Sequence, residues 1–169
     1  MCNVNPGSGS GAVAAEDADL TTIEGLMTAL YRSISGPPGS QDFELSRRIY
    51  HPDVRLVRTR LGEEGKPLAL SFSADSYEEN VRCLLSDIPF YEVETERRSV
   101  RFGNVAQVFS AYEARTAPEG GELIKRGMNL AHLYNDGTRW WLMHLIWDDE
   151  REGVTVPREI FEEWADVGV

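Results

Sequence analysis

Arg58 stands in a strand-like run, Val54 to Leu61 (VRLVRTRL), in which arginines alternate with β-branched and aliphatic residues. A strand has a side-chain period of two, so Arg58 shares its face with Leu56. If that face is inward, a guanidinium stands at a pocket wall, where it matches a planar anion such as a carboxylate or an enolate. The plainer alternative is an ion pair with one of the 28 Asp and Glu residues. Three further residues are candidates for polar chemistry. His144 lies between Met143 and Leu145 and has the side chain best suited to proton transfer near neutral pH. Asp148 and Asp149, with Glu150 and Arg151, end the last strand, and one of these acids, Asp148 foremost, would serve as a base at the cone mouth if burial raised its pKa. Asn129 is a candidate hydrogen-bond donor to a ligand oxygen. Against these stand a structural or interface role for His144, with His132 of similar status, and a solvated strand end for Asp148.

The aromatic residues Tyr31, Tyr77, Tyr112, Trp141 and Trp147, with Met143 beside them, would suit an apolar, ring-shaped ligand, although core packing explains most of them as simply. Asp53, after Pro52, reads as a turn residue whose side chain bonds local amides. No His and acid spacing marks a metal site, no Gly-rich loop opens a helix after a strand, and no nucleophile elbow is present, so the chemistry expected is cofactor-independent.

The elements that must position these groups centre on Leu123 to Glu150. Two apolar runs flank Asn135-Asp136-Gly137-Thr138, a hairpin signal. The second run is apolar at both parities, so neither face suits water. By simple alternation, Trp141, Met143, Leu145 and Trp147 face a cavity. Trp140, Leu142, His144 and Ile146 face a partner, and a bulge would exchange the two sets.

Ahead of this hairpin, Leu20, Ile23, Leu26, Met27, Leu30 and Ile34 recur at helical spacing after Asp19 or Thr21 as cap. Gly36-Pro37-Pro38-Gly39 ends that helix. A shorter one follows, capped by Ser40 or Asp42 and stopped at His51-Pro52. After the strand at 54–61, Leu68 to Phe72 is a second short strand, and Ser73 to Asp87 is a third helix with a capping signature. Strands are then predicted over 91–102, 105–116, 123–135 and 139–148, as an antiparallel meander. Residues 1–18 form a Gly/Ser-rich leader, 19–150 the domain, and 151–169 a tail. The tail's short helix begins at Pro157, with Ile160, Phe161 and Trp164 on one face. The fold class is α+β: a strongly curved antiparallel sheet wrapped around about three N-terminal helices, a cone with a pocket between helix and concave face.

Composition narrows the function classes. A net charge of −11 opposes nucleic acid and anionic membrane surfaces as default partners. Cys2 and Cys83 give no disulfide framework, and no long apolar run or signal-peptide pattern is present, so a soluble, cytoplasmic protein is expected. An apolar outward face on the last hairpin implies a homodimer through the convex side of the sheet.

Three patches, Tyr50-His51-Pro52-Asp53-Val54, Arg126-Gly127-Met128-Asn129, and Arg139-Trp140-Trp141 leading to Trp147-Asp148-Asp149-Glu150-Arg151, together with the element order over residues 19–150, resemble the nuclear transport factor 2-like superfamily. That group includes the SnoaL-like polyketide cyclases and the steroid isomerases, and the resemblance is closest to bacterial members without an assigned activity. The resemblance implies a cone-shaped α+β barrel with a small-molecule pocket. It also places the isomerases' catalytic carboxylate at Arg58 and their hydrogen-bonding acid near Asn129 to Ala131, where this chain has no carboxylate. Isomerisation by that pair is therefore not expected. The cyclases' late-strand acid or base would fall to Asp148 or His144. Two functions remain. One is cofactor-independent acid/base chemistry (cyclase, isomerase or dehydratase type) on a hydrophobic, carboxylated or enolisable compound. The other is a non-catalytic ligand-binding or dimerisation module.

Overall fold

The computed structural model describes residues 18–162. The expected leader lies almost wholly outside the described residues, as does Trp164.

Helix α1 (Ile23–Ile34) is capped by Thr22, whose Oγ1 accepts from the Gly25 amide at 3.0 Å. The cap was expected at Asp19 or Thr21; Asp19 instead accepts from the amide and hydroxyl of Thr21, one turn early. The helix buries Leu26, Met27, Leu30 and Tyr31. Helix α2 (Phe43–Ile49) is capped by Asp42, which accepts from the Leu45 amide. It passes directly into strand β1 (Tyr50–Leu61), which starts earlier than the proline suggested. A register shift between Tyr50 and Arg55 absorbs Pro52 there, as expected for a residue that cannot donate to a ladder. Asp53 is therefore a strand residue. Its exposed carboxylate lies 3.7 Å from His51 Nδ1 and caps no turn. Strand β2 (Pro67–Phe72) follows, then helix α3 (Ala74–Leu84), whose Ser73 and Ser76 form a reciprocal capping box.

Strands β3 (Tyr91–Phe102), β4 (Val105–Arg115), β5 (Leu123–Asn135) and β6 (Trp140–Asp149) make the expected meander. The six-stranded sheet has the order β2-β1-β6-β5-β4-β3. β1 runs parallel to β6 and every other neighbour is antiparallel. The sheet is open and curves around the helices. The main core joins α1 and α2 to Val54, Leu56, Val108, Ala131, Leu133, Trp140, Leu142, Leu145 and Trp147.

Trp140 and Leu142 correct the simple alternation. His132 pairs with His144, yet the next residue, Leu133, pairs with Leu142, so Met143 is an extra residue on β6. This bulge exchanges the faces. Trp140 and Leu142 point into the core with Leu145 and Trp147, while Trp141, His144 and Ile146 lie on the convex side. Trp141 is held there because its indole N–H donates to Asp136 Oδ2 at 2.8 Å and the Arg139 guanidinium covers its ring at 3.7 Å. Asp136 also accepts from Thr138 and Arg139, so the hairpin loop organises itself around one carboxylate. The tail crosses the convex side. Arg98 donates to the Ile160 carbonyl, Arg158 pairs with Glu96, and within the described residues the expected helix is seen as one 3-10 turn, Arg158–Ile160. Among the described residues no helix is long and apolar enough to cross a membrane.

Candidate functional site

The concave face is built from rows of side chains that cross the strands, because directly paired residues point the same way. One row runs Arg58, Trp147, Asn129, Ser110, Arg97 from β1 to β3. The next runs Asp149, Gly127, Tyr112, Glu94, and beyond it lie Lys125, Ala114 and Glu92. Helix α3 and the end of α1 close over these rows. The space left is a cavity of about 250 Å³ lined by Arg58, Asn129, Lys125, Glu92 and Tyr112 on the polar side and by Leu30, Val81, Leu85, Phe90, Leu145 and Trp147 on the apolar side. Leu84, Ile88 and Ile124 also line it and are strongly exposed, which makes its mouth apolar.

Arg58 and Asn129 thus share one cavity. Arg58 Nη2 is 3.9 Å from Asp149 Oδ2, beyond a good hydrogen bond, and the buried Nε has no partner among the described residues. Asp149 already accepts from Tyr112 Oη at 2.6 Å and pairs with Lys125 Nζ at 3.0 Å. The guanidinium is therefore only loosely committed. Tyr77 lines the cavity and meets Trp147 edge-to-face at 5.9 Å. Tyr31 does not line it: its hydroxyl lies behind Asn129 and bonds Ser110 Oγ at 2.6 Å. Burial pushes the phenol pKa values of Tyr31, Tyr50, Tyr77 and Tyr112 up, so all stay neutral at pH 7.

The carboxyl group in the cavity comes from Glu92, a residue that sequence reasoning passed over. Glu92 sits half-buried at the cavity wall, where desolvation pushes it up to about 7; Lys125 and Asn129 oppose that shift and Asp149 adds to it. Glu92 belongs to an acidic alternation, Glu92-Val93-Glu94-Thr95-Glu96, that reads as a solvated strand. Its one signal is the pairing of Glu92 with Ala114, which is fully buried, and that pairing exists only once β3 and β4 are in register. Asp149 was a near miss. It turns inward, whereas Asp148, the expected base, points out and pairs with Arg151 at 2.8 Å.

His144 and Met143 are also absent from the cavity. His144 is on the convex side, its ring 5.4 Å from that of His132, and burial together with His132 pushes its pKa down. Met143 is the bulge residue, and neither it nor Trp141 lines the cavity. Among the described residues no group of three or more His, Cys, Asp or Glu side chains could hold a metal ion.

Comparison with known proteins places the fold. No protein-family model and no curated sequence matches the chain. Solved structures do match its shape. An NTF2-like protein of unknown function from Pseudomonas putida superposes with a TM-score of 0.58 at 11% identity, over 87% of this chain and 94% of that one. A protein of unknown function with a cystatin-like fold from Nostoc punctiforme gives 0.59 at 11% identity, over 76% and 88%. A chain described as the beta subunit of an aromatic-ring-hydroxylating dioxygenase from Novosphingobium aromaticivorans gives 0.59 at 12% identity, over 76% and 87%. The fold is NTF2-like, an open, curved form of the cone.

Proposed function

We propose that this NTF2-like protein binds a small, largely apolar compound in the concave cavity and moves a proton on it without a cofactor. Glu92 is the general base and Arg58 holds the anionic or enolate oxygen. The observation that carries the reading is the Glu92 carboxyl, raised to about 7 in the same cavity as the loosely committed Arg58 guanidinium. A base works best with a pKa near the operating pH. An anion-binding group beside it stabilises charge as it develops. The volume of about 250 Å³ admits a compound of single-ring size.

Phenylpyruvate, an apolar ring carrying an enolisable keto acid, is a direct probe. Wild type in D2O should exchange the benzylic protons faster than buffer alone, with a rate that rises as Glu92 ionises around pH 7. Glu92→Gln should bind the acid and lose the exchange, and Arg58→Ala should lose thermal stabilisation by the acid. Saturable binding with exchange at the buffer rate would make the protein a non-catalytic binder. Equal thermal stabilisation of wild type and Arg58→Ala across a set of small carboxylic acids would remove the anion role.

We also propose that two copies pair through the convex side. Trp140 and Leu142 no longer support this, since they are core. The support is the apolar row Phe102, Val105, Tyr134 and Trp141, in which Phe102, Val105 and Tyr134 are exposed. A monomer by light scattering at micromolar concentration would end it.

A further inference from the structure

Asn129 is the polar residue at the centre of the cavity row, and which end of its carboxamide faces the ligand decides what the site can recognise. A hydrogen-bond chain with a fixed end separates the amide oxygen from the nitrogen. Such a chain runs behind Asn129. At its far end Arg97 grips Glu94, Nε lying 2.9 Å from both carboxylate oxygens. An ion-paired carboxylate only accepts. The Ser110 hydroxyl must therefore donate to Glu94, and that contact is very short. With its proton spent, Ser110 Oγ can only accept from Tyr31 Oη, 2.6 Å away. Tyr31 Oη is left as the acceptor for Asn129 Nδ2 at 3.1 Å.

One amide hydrogen is thus committed to Tyr31 behind the cavity, and the amide also hydrogen-bonds Glu92 at the cavity wall. Among the described residues no side chain or backbone N–H donates to Asn129 Oδ1, and Asn129 lines the cavity, so the oxygen is the end of the carboxamide left for a ligand. This reverses the sequence-based expectation of a donor at Asn129.

We propose that Arg97, Glu94, Ser110 and Tyr31 form a directional chain that locks Asn129 with its oxygen toward the ligand, so that the cavity selects compounds presenting a hydroxyl or N–H there. The inference rests on the reading of the cavity as a small-molecule site. It deepens that reading by giving the ligand two polar ends, an anionic oxygen at Arg58 and a hydrogen-bond donor at Asn129. The two residues share a row two strands apart, roughly 10 Å between backbones, a span that one substituted ring plus the arginine side chain can bridge. Asn129 and Tyr31 are specificity and positioning residues here, and Glu92 keeps the proton-transfer role.

The test has two arms on the full chain. In the first, NMR follows the Asn129 side-chain amide, assigned by its loss in Asn129→Asp. Wild type should show both amide protons shielded from solvent exchange, one with a nuclear Overhauser contact to the Tyr31 ring. Tyr31→Phe and, as a second variant in case the first misfolds, Ser110→Ala should abolish that protection. A wild-type amide in fast exchange, or one unchanged in both variants, overturns the proposal.

In the second arm, calorimetry compares benzoate, 3-hydroxybenzoate and 3-methoxybenzoate. A site built around an unpaired acceptor should favour the hydroxyl compound over the methoxy one by about tenfold or more, and Ser110→Ala should shrink that ratio. Equal binding of all three sinks the donor selection while leaving the small-molecule reading intact. Binding of none of them removes the carboxylate reading of the cavity and the selection with it.

Discussion

The Tyr112 hydroxyl reaches Asp149 Oδ1 at 2.6 Å by crossing over Gly127, where a Cβ would lie 2.5 Å from that hydroxyl and 2.4 Å from the Asp148 carbonyl. The three residues form one cross-sheet row, so the missing side chain in the middle lets its two neighbours touch. Gly127→Ala should therefore cost about 2–4 kcal/mol, since the clash involves backbone and a buried ring. Tyr112→Phe should cost about 1–2 kcal/mol for the lost bond to a charged group. Urea titration of both variants checks the ranking; an alanine as harmless as the phenylalanine would mean the sheet relaxes there.

Glu92 makes stability depend on pH in the direction opposite to a salt-bridged acid. Its folded-state pKa of about 7 lies above the ordinary 4.5, so between those values the folded chain holds a proton that the unfolded chain has lost. Stability from this group should be full below about pH 4.5 and decline as pH rises through 7. Glu92→Gln should remove that decline and be more stable than wild type at pH 8, on the order of 1–3 kcal/mol. Denaturation midpoints of the pair at pH 5 and pH 8 give the comparison; parallel pH profiles would show that Glu92 is not desolvated.

The bulge at Met143 separates two substitutions that would otherwise look alike. Met143→Ala should cost less than about 1 kcal/mol, because the side chain lines neither core nor cavity. Deleting Met143 should be far worse. Regular pairing would then rotate either Trp140 and Leu142 or Leu145 and Trp147 out of the core, and a one-residue slip moves the whole hydrophobic set. Expression followed by chemical denaturation would show it, and a well-folded deletion would refute the bulge.

Arg58 distinguishes a binding residue from a structural ion pair. Its Nε is buried without a partner among the described residues, and Asp149 has Tyr112 and Lys125 besides. Arg58→Met should therefore be neutral or stabilise the free protein by up to about 1 kcal/mol, since it removes a desolvated, unpaired donor. Lys125→Met should destabilise, because it takes the closest cation from Asp149. A large loss of stability in Arg58→Met, seen by thermal melting without added acid, would return Arg58 to a structural role.

How much of this was legible from the chain alone differs by level. Helix and strand order could be read because it rests on local quantities: three- and four-residue steps in α1, the Ser73 capping box, and the Asn135-Asp136-Gly137-Thr138 break. Arg58 could be placed on the inward face because Leu56, two residues away on the same strand, is plainly core. The parity of β6 could not, since all its positions from Trp140 to Trp147 are apolar or aromatic except His144, and nothing local marks Met143 as extra.

By itself, then, the sequence determined the order of helices and strands and, through the period of two, that Arg58 shares a face with Leu56. Each depends on neighbours within a few residues. Only the tertiary structure decided that Glu92 lines the cavity, that Asp149 rather than Asp148 bonds Tyr112, and that the Asn129 amide nitrogen is taken by Tyr31. Those outcomes rest on register between strands far apart in the chain, and on a hydrogen-bond chain joining α1, β3, β4 and β5. A pKa is set by burial, and burial exists only after packing.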